Sequence, residues 1–180
     1  HLSLRRQRQM CIRDSDNTLT GSPVGIQAFN AWYQAQPRLG FGVATGRSFH
    51  SALSILEQAS IVYPQLIISS VGSEIHYLDD SGVRYQQDER WSSLIDERWQ
   101  RGAIAHALED FPGLTPQGPL EQRRHKRYFS DGDTALVGRV QRYLQDLGLA
   151  CTVIHSHGRY FDILPINASK GLAVEHVRQR

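Results

Sequence analysis

The sequence predicts an α/β fold in which a parallel sheet forms the core and a smaller α+β domain is inserted into it. Strand and helix patterns alternate from residue 23 to residue 70, which is typical of right-handed crossovers in a parallel sheet. From residue 79 to residue 158 the pattern changes to a hairpin, helices and short strands. A chain of 180 residues is long enough to bury such a core.

The first part of the chain supplies the parallel core. Apolar residues spaced along one face predict a helix over 23–36, and Ser48 opens a second helix. Short apolar runs predict strands at 40–44 and 66–70, and the second run is apolar enough for a central strand.

The later part predicts the inserted domain and a return to the core. The expected elements are a hairpin over 75–85, a helix over 91–108, a loop over 111–119, a strand over 126–130, a helix over 134–147 and a strand over 151–154. Residues 160–164 are expected to return to the core, and Ser169 to begin the last helix. We therefore predict a core of residues 14–78 and 159–180 and an inserted domain of residues 79–158.

Composition excludes several classes of function. The net charge is +2, and basic residues are scattered rather than gathered in a stripe, so we expect no nucleic-acid partner. No apolar run reaches the roughly 20 residues that cross a membrane, and no signal-peptide pattern is present. Two cysteines, Cys11 and Cys151, form no disulfide framework, so we expect a reducing, cytoplasmic location.

The stretch 14–21, DSDNTLTG, carries the predicted chemistry. If Asp14 ends a strand, the side chains of Asp14 and Asp16 point the same way until the backbone turns. Two carboxylates at such a short distance repel each other unless a cation lies between them, and oxygen ligands suit Mg²⁺. One carboxylate could then attack an electrophile while the other transfers a proton. The alternative is a polar loop rich in turn-forming residues.

Two later stretches join this motif. The set, in chain order, is DSDNTLTG at 14–21, VATGRS at 43–48 and ASKG at 168–171. Together they resemble the first three motifs of haloacid dehalogenase-like (HAD) phosphohydrolases. Three further stretches are similar to the sucrose-phosphate phosphatase branch of that class: VGSEI at 71–75, HK at 125–126 and FDILP at 161–165. That branch includes the phosphatase-like domain at the end of many sucrose-phosphate synthases, and the resemblance covers residues 14–180.

The resemblance implies a Mg²⁺-dependent phosphatase with a HAD-like core and a mobile cap domain. Asp14 would attack phosphorus to form a phosphoaspartate, and Asp16 would protonate the leaving sugar oxygen and then activate water. Both are also the expected Mg²⁺ ligands. Thr45 and Lys170 would contact the transferred phosphoryl group. The alternatives are a helix cap for Thr45 and a solvated first-turn lysine for Lys170.

Five further residues are candidates for substrate binding: Gly46, Arg47, Glu74, His125 and Lys126. Gly46 would offer a backbone N–H to the phosphate. The resemblance implies that Glu74 lies near the sugar and that the His-Lys pair projects from the cap, where these groups can hydrogen-bond sugar hydroxyls. For Arg47, an ion pair at the start of a helix is the alternative.

Both ends depart from the family pattern. Residues 5–13, RRQRQMCIR, make a poor buried strand, and residues 8–15 can be back-translated into DNA that resembles a sequencing-library adapter. We therefore expect residues 1–13 to be artefactual or disordered, in which case Asp14 and Ser15 match the motif by coincidence; an unusual natural N-terminus is the alternative. The family completes its Mg²⁺ site in a Gly-Asp-rich segment after the lysine helix. This chain ends at Arg180, before such a segment, so we expect it to be truncated at both ends and inactive by itself.

The expected function is hydrolysis of a sugar phosphate, with sucrose 6-phosphate first among the substrates. One rival is a non-catalytic, regulatory phosphatase-like domain of a sucrose-phosphate synthase, with the glycosyltransferase domain in the same parent chain. Another is a phosphatase for a different glycosyl phosphate, such as a mannosyl- or glucosyl-phosphoglycerate. Competing sugar phosphates in one assay would separate the substrates, because only the cap contacts differ.

Overall fold

The computed structural model describes two units of the chain, and each has its own sheet. The described residues are 9–14, 22–122, 126–130, 133 and 135–180. The first unit comprises the described residues up to Val71 together with Ile75–Asp88. The second unit comprises Gly72–Glu74 and the described residues from Glu89 to Arg180.

The first unit is built on a five-stranded sheet with the strand order β1-β2-β3-β4-β5. Its strands are β1 (Gln9–Asp14), β2 (Leu39–Ala44), β3 (Leu66–Ser69), β4 (Glu74–Leu78) and β5 (Tyr85–Gln87), and its helices are α1 (Pro23–Gln34) and α2 (Phe49–Gln58). Strands β1, β2 and β3 are parallel, whereas β4 and β5 form an antiparallel hairpin. The parallel core predicted from the sequence is confirmed.

Apolar packing explains why these elements form. Ser22 caps α1 by accepting a hydrogen bond from the Gly25 N–H at 3.3 Å, and Pro23 fits the first helical position. On α1, Phe29 packs edge-on against Phe41 of β2, with ring centroids 4.9 Å apart. The remaining core of this unit includes Val43, Ala52, Leu56, Ile61 and Ile67, all buried.

The second unit has a four-stranded antiparallel sheet with the order β6-β7-β9-β8. Its strands are β6 (Leu114–Pro116), β7 (Lys126–Ser130), β8 (Cys151–Ser156) and β9 (Tyr160–Pro165), and its helices are α3 (Glu89–Asp96), α4 (Arg101–Ala107), α5 (Ala135–Asp146) and α6 (Lys170–Arg178). Leu136, Val140 and Leu144 lie four residues apart on α5 and are buried in one core with Phe161 and Ile163 of β9. The predicted α+β composition of the inserted domain is therefore present.

Two segments belong to a different sheet from the one predicted for them. Residues 160–164 were expected to return to the parallel core, but they lie in β9, between β7 and β8. The reason is a tight turn: His157 and Gly158 both have positive φ, at 53° and 65°, which folds β9 directly back onto β8. Strand β5, which lies after residue 78, belongs to the first sheet because it pairs with β4.

Three local predictions also need correction. The single helix expected over 91–108 is two helices, α3 and α4, and the loop expected over 111–119 contains β6. Residues 9–14 form β1, paired in parallel with β2, so disorder up to residue 13 is wrong for residues 9–13. The artefactual origin of those residues stays a prediction. Among the residues that the structure describes, no helix is long and apolar enough to cross a membrane.

Candidate active site

The carboxyl edge of the parallel sheet gathers the first group of predicted residues. Asp14 ends β1 and is the register partner of Ala44, which ends β2. The next residue, Thr45, donates its backbone N–H to the carbonyl of Ile68 on β3 at 2.8 Å. Asp14 and Thr45 therefore lie at the same edge of the sheet, as parallel strands require.

Thr45 is fully buried in a tight turn rather than at a helix cap. Its Oγ1 accepts a hydrogen bond from the Arg47 N–H at 3.2 Å. The N-cap position of α2 belongs to Ser48, three residues later. A threonine hydroxyl can accept and donate at once, so its turn bond is compatible with donation to a phosphate oxygen.

Gly46 has open space beside its Cα. A Cβ placed on Gly46 would find its nearest neighbour, Cγ2 of Val71, 4.0 Å away, and the backbone of Gly46 does not have a positive φ. The surrounding protein therefore does not demand glycine at this position. A group bound against the Gly46 backbone would demand it.

A strained turn supports this loop. Ser70 and Val71 follow β3 with φ of 53° and 59°, a conformation that is unfavourable for a β-branched residue such as Val71. Ser70 donates its N–H to the Arg47 carbonyl at 2.7 Å, and Val71 donates its N–H to the Thr45 carbonyl at 3.2 Å. These bonds fix the path of the 45–47 loop. Sequence reasoning missed this turn, because nothing in Ser-Ser-Val predicts two consecutive left-handed residues.

The second unit carries Lys170 at the first position of α6. Ser169 caps the helix by accepting a hydrogen bond from the Leu172 N–H at 3.1 Å, and Lys170 is half-buried. A cation in the first turn is opposed by the helix dipole, by about 0.3–1 kcal/mol. The helix dipole therefore does not favour a lysine at this position.

Gly72 and Glu74 accompany Lys170 in the second unit. Gly72 lies so close to the peptide between Ser169 and Lys170 that a Cβ on it would be 2.3 Å from the Ser169 carbonyl carbon. Glu74 begins β4 and is 2% exposed. A carboxylate is rarely this buried unless it has polar partners, which is consistent with a specific role.

Four predicted site residues lie wholly or partly outside the described structure. Asp16 and His125 are outside the described residues, and only the backbone is described for Asp14 and Lys126. Lys126 begins β7, where its register partner is Ile163 of β9. Lys126 and Lys170 are the two lysines of this chain, and both stand at predicted site positions.

The chemistry of the predicted metal ligands fits Mg²⁺. Asp14 ends a strand at the edge that also holds Thr45, and carboxylate oxygens are the donors that this ion prefers. Within the described part of the chain, no group of three or more His, Cys, Asp or Glu residues could hold a metal ion. Metal binding by Asp14 and Asp16 stays a prediction.

Comparisons with known proteins agree on one family. A model described as sucrose-6F-phosphate phosphohydrolase matches residues 7–180. Sucrose-phosphatase 1 of Nicotiana tabacum is 30% identical over 182 residues, which cover 96% of this chain and 42% of the tobacco protein. The chain thus spans less than half of that relative. Glucosylglycerol-phosphate synthase of Pseudomonas anguilliseptica is 28% identical over 164 residues, which are 90% of this chain and 21% of the synthase.

Solved structures agree with the sequence comparisons. The sucrose-phosphatase of Synechocystis sp. PCC6803, solved with sucrose and phosphate, superimposes with a TM-score of 0.85 at 28% identity, over 96% of this chain and 70% of that one. Haloacid dehalogenase-like hydrolases also match, at 17% and 12% identity. The HAD-like fold class predicted from the sequence is confirmed.

Proposed function

Because the chain belongs to the sucrose-6F-phosphate phosphohydrolase family, we propose that the intact protein hydrolyses a sugar phosphate, with sucrose 6-phosphate as its substrate. The observation that carries this proposal is the family match over residues 7–180, which includes every predicted site residue. The arrangement of Asp14 and the 45–47 loop at one edge of the parallel sheet supports it.

The proposed reaction has two steps. A carboxylate oxygen of Asp14 attacks phosphorus, the bond between phosphorus and the sugar oxygen breaks, and Asp16 gives its proton to that oxygen. Water then attacks the phosphoaspartate, and Asp16 takes a proton from the water. Inorganic phosphate leaves and Asp14 is restored.

Fixed donors and cations lower the barrier in this proposal. The Thr45 hydroxyl and the Gly46 N–H would donate hydrogen bonds to the phosphoryl oxygens, and Lys170 would offset their negative charge. Mg²⁺, when bound by the oxygens of Asp14 and Asp16, would supply further positive charge. Positioned charges of this kind are the main contribution that a protein makes to phosphoryl transfer.

Selection of the sugar is proposed to rest on four other residues: Arg47, Glu74, His125 and Lys126. A carboxylate, an imidazole and cationic groups can hydrogen-bond the hydroxyls of a disaccharide. The described burial of Glu74 supports such a role, because a hydrogen bond to a carboxylate is stronger where water is excluded.

The test is phosphate release from sucrose 6-phosphate by the intact gene product, with and without Mg²⁺. We expect Mg²⁺-dependent release, and loss of it in Asp16→Asn. Absence of release from any sugar phosphate, or unchanged turnover in Asp16→Asn, would refute the proposal. The 180-residue chain assayed alongside tests the expectation that it is inactive by itself.

The similarity to a glucosylglycerol-phosphate synthase favours a second candidate. In this alternative the domain accompanies a glycosyltransferase in the parent chain and binds its sugar-phosphate product without hydrolysing it. Calorimetric binding of sucrose 6-phosphate without phosphate release would favour it. Faster release from another glycosyl phosphate would instead change only the substrate.

We also propose a cytoplasmic location, since the two cysteines form no disulfide framework.

A further inference from the structure

We propose that Gly72 and Trp91 are positioning residues that set the place of Lys170 at the start of α6. The inference rests on the proposed function only in the role that it gives to Lys170. Neither residue needs to touch the substrate, because both act on the backbone that carries the lysine. All of the contacts involved lie inside the second unit.

Gly72 lies directly against the first peptide of α6. A Cβ on this residue would lie 2.3 Å from the Ser169 carbonyl carbon and 2.4 Å from the Lys170 nitrogen. Both atoms belong to the backbone, so neither can rotate away as a flexible side chain would. Gly72 also has φ of 97°, which L-residues rarely adopt. Two independent features therefore require glycine where the chain meets the first residue of α6.

Trp91 contacts both Gly72 and α6. The Trp91 indole is 5% exposed, and its Nε1–H donates a buried hydrogen bond to the Gly72 carbonyl at 3.0 Å. The same ring lies 5.2 Å, centroid to centroid, from the ring of His176 on α6. His176 follows Lys170 by six residues, about 9 Å along the helix axis. The indole therefore contacts Gly72, next to the start of α6, and also the second turn of α6.

This arrangement gives two reference points for the helix that begins with Lys170. The hydrogen bond orients the Gly72 carbonyl, Gly72 fixes the first peptide of α6, and the ring contact with His176 fixes the second turn. Loss of either contact lets the start of the helix move, and the lysine ammonium moves with it. A displacement of about 1 Å of a charged group at a reaction centre can reduce the rate roughly 100-fold.

The sharpest test uses the two lysines of the chain. Acetic anhydride labels amines in proportion to their deprotonated fraction, and mass spectrometry of the peptides reads Lys170 and Lys126 separately. The pH profile of Lys170 is compared between the unaltered 180-residue chain and Trp91→Phe, which keeps an aromatic ring but lacks the indole N–H. Trp99→Phe is the matched control, because Trp99 packs on an apolar cluster of the second unit that includes neither Trp91 nor His176.

We expect Trp91→Phe to shift the Lys170 profile by half a pH unit or more, about threefold in rate at fixed pH, while Trp99→Phe leaves it unchanged. Trp91→Phe that lowers the unfolding midpoint in urea but leaves the Lys170 profile unchanged would overturn the inference, since Trp91 would then be only a packing residue.

Gly72→Ala gives an independent arm. Its control is Gly148→Ala, at a residue that also has positive φ, 71°, but has no atom within 4 Å of the added methyl group. Both variants place an alanine at positive φ, and they differ in the clash with α6. We expect only Gly72→Ala to change the Lys170 profile, and equal profiles for the two variants would overturn the inference.

Inorganic phosphate separates this inference from the proposed function. If Lys170 binds the phosphoryl group, added phosphate slows labelling of Lys170 in the unaltered chain, and the slowing is lost in Trp91→Phe. Failure of phosphate to protect Lys170 in the unaltered chain would count against the proposed role of the lysine. The comparison of pH profiles without phosphate would still decide whether Trp91 and Gly72 position it.

Discussion

Replacement of Thr45 by valine and by serine separates the structural role of this residue from its proposed role in phosphate binding. Thr45→Val keeps the volume of a fully buried side chain and removes the hydroxyl that accepts from the Arg47 N–H at 3.2 Å. A lost neutral hydrogen bond lowers the free energy of unfolding by about 0.5–1.5 kcal/mol. Thr45→Ser keeps the hydroxyl and removes one buried methyl group, which lowers it by about 1 kcal/mol. The two variants are therefore expected to be similarly stable.

Their turnover is expected to differ. A hydroxyl that donates to a charged phosphoryl oxygen contributes about 1.5–3 kcal/mol, which corresponds to roughly a 10- to 150-fold loss of kcat/KM in Thr45→Val. Thr45→Ser should stay within about threefold of the unaltered protein, because its donor remains. Sucrose 6-phosphate turnover by the intact protein and urea unfolding of each variant give the two quantities. Equal turnover of the valine and serine variants would refute the assignment of the Thr45 hydroxyl to the phosphate.

Four further outcomes are expected. Gly46→Ala should weaken binding of inorganic phosphate by about tenfold without loss of stability, because the protein leaves space for the methyl group. Gly138→Ala, at an open position in α5, should leave phosphate binding unchanged. Equal phosphate binding by both variants would contradict the role of the Gly46 backbone in phosphate binding. Leu144→Ala should lower the free energy of unfolding by about 2–5 kcal/mol in urea, because Leu144 is fully buried; a loss below 1 kcal/mol would contradict the described core. Burial raises the pKa of the Cys151 thiol to about 11, so a disulfide reagent at pH 8 should label it only after unfolding, and stability should fall as pH rises from about 9 towards 11. Chelation of Mg²⁺ should abolish phosphate release, and readdition should restore it; release that persists in excess chelator would argue against a metal-dependent reaction.

Local sequence patterns were sufficient to predict most elements, because burial leaves a clear periodicity. The apolar run at 66–70 contains β3 (Leu66–Ser69). The helix predicted over 134–147 is α5 (Ala135–Asp146), which buries Leu136, Val140 and Leu144. Ser169 caps α6 as predicted, through a hydrogen bond to the Leu172 N–H. These features depend on residues close together in the chain.

Sheet membership and backbone strain were not predictable in the same way. An apolar strand such as 160–165 fits either sheet, and the choice depends on the left-handed turn at His157 and Gly158. The positions of Asp14, Thr45 and Lys170 on a strand end, a strand–helix junction and a helix start follow the family motifs. The support beneath them does not, because the Val71 backbone and the Trp91–Gly72 bond depend on long-range contacts.

The most direct test of the central claim is detection of the phosphoaspartate. The intact protein is mixed with sucrose 6-phosphate and Mg²⁺, quenched in acid within one turnover, and digested for mass spectrometry. The account predicts a phosphorylated aspartate at Asp14, absent from Asp14→Asn. Turnover that proceeds in Asp14→Asn, or phosphate release from the unaltered protein with no phosphorylated aspartate at any time, would contradict it.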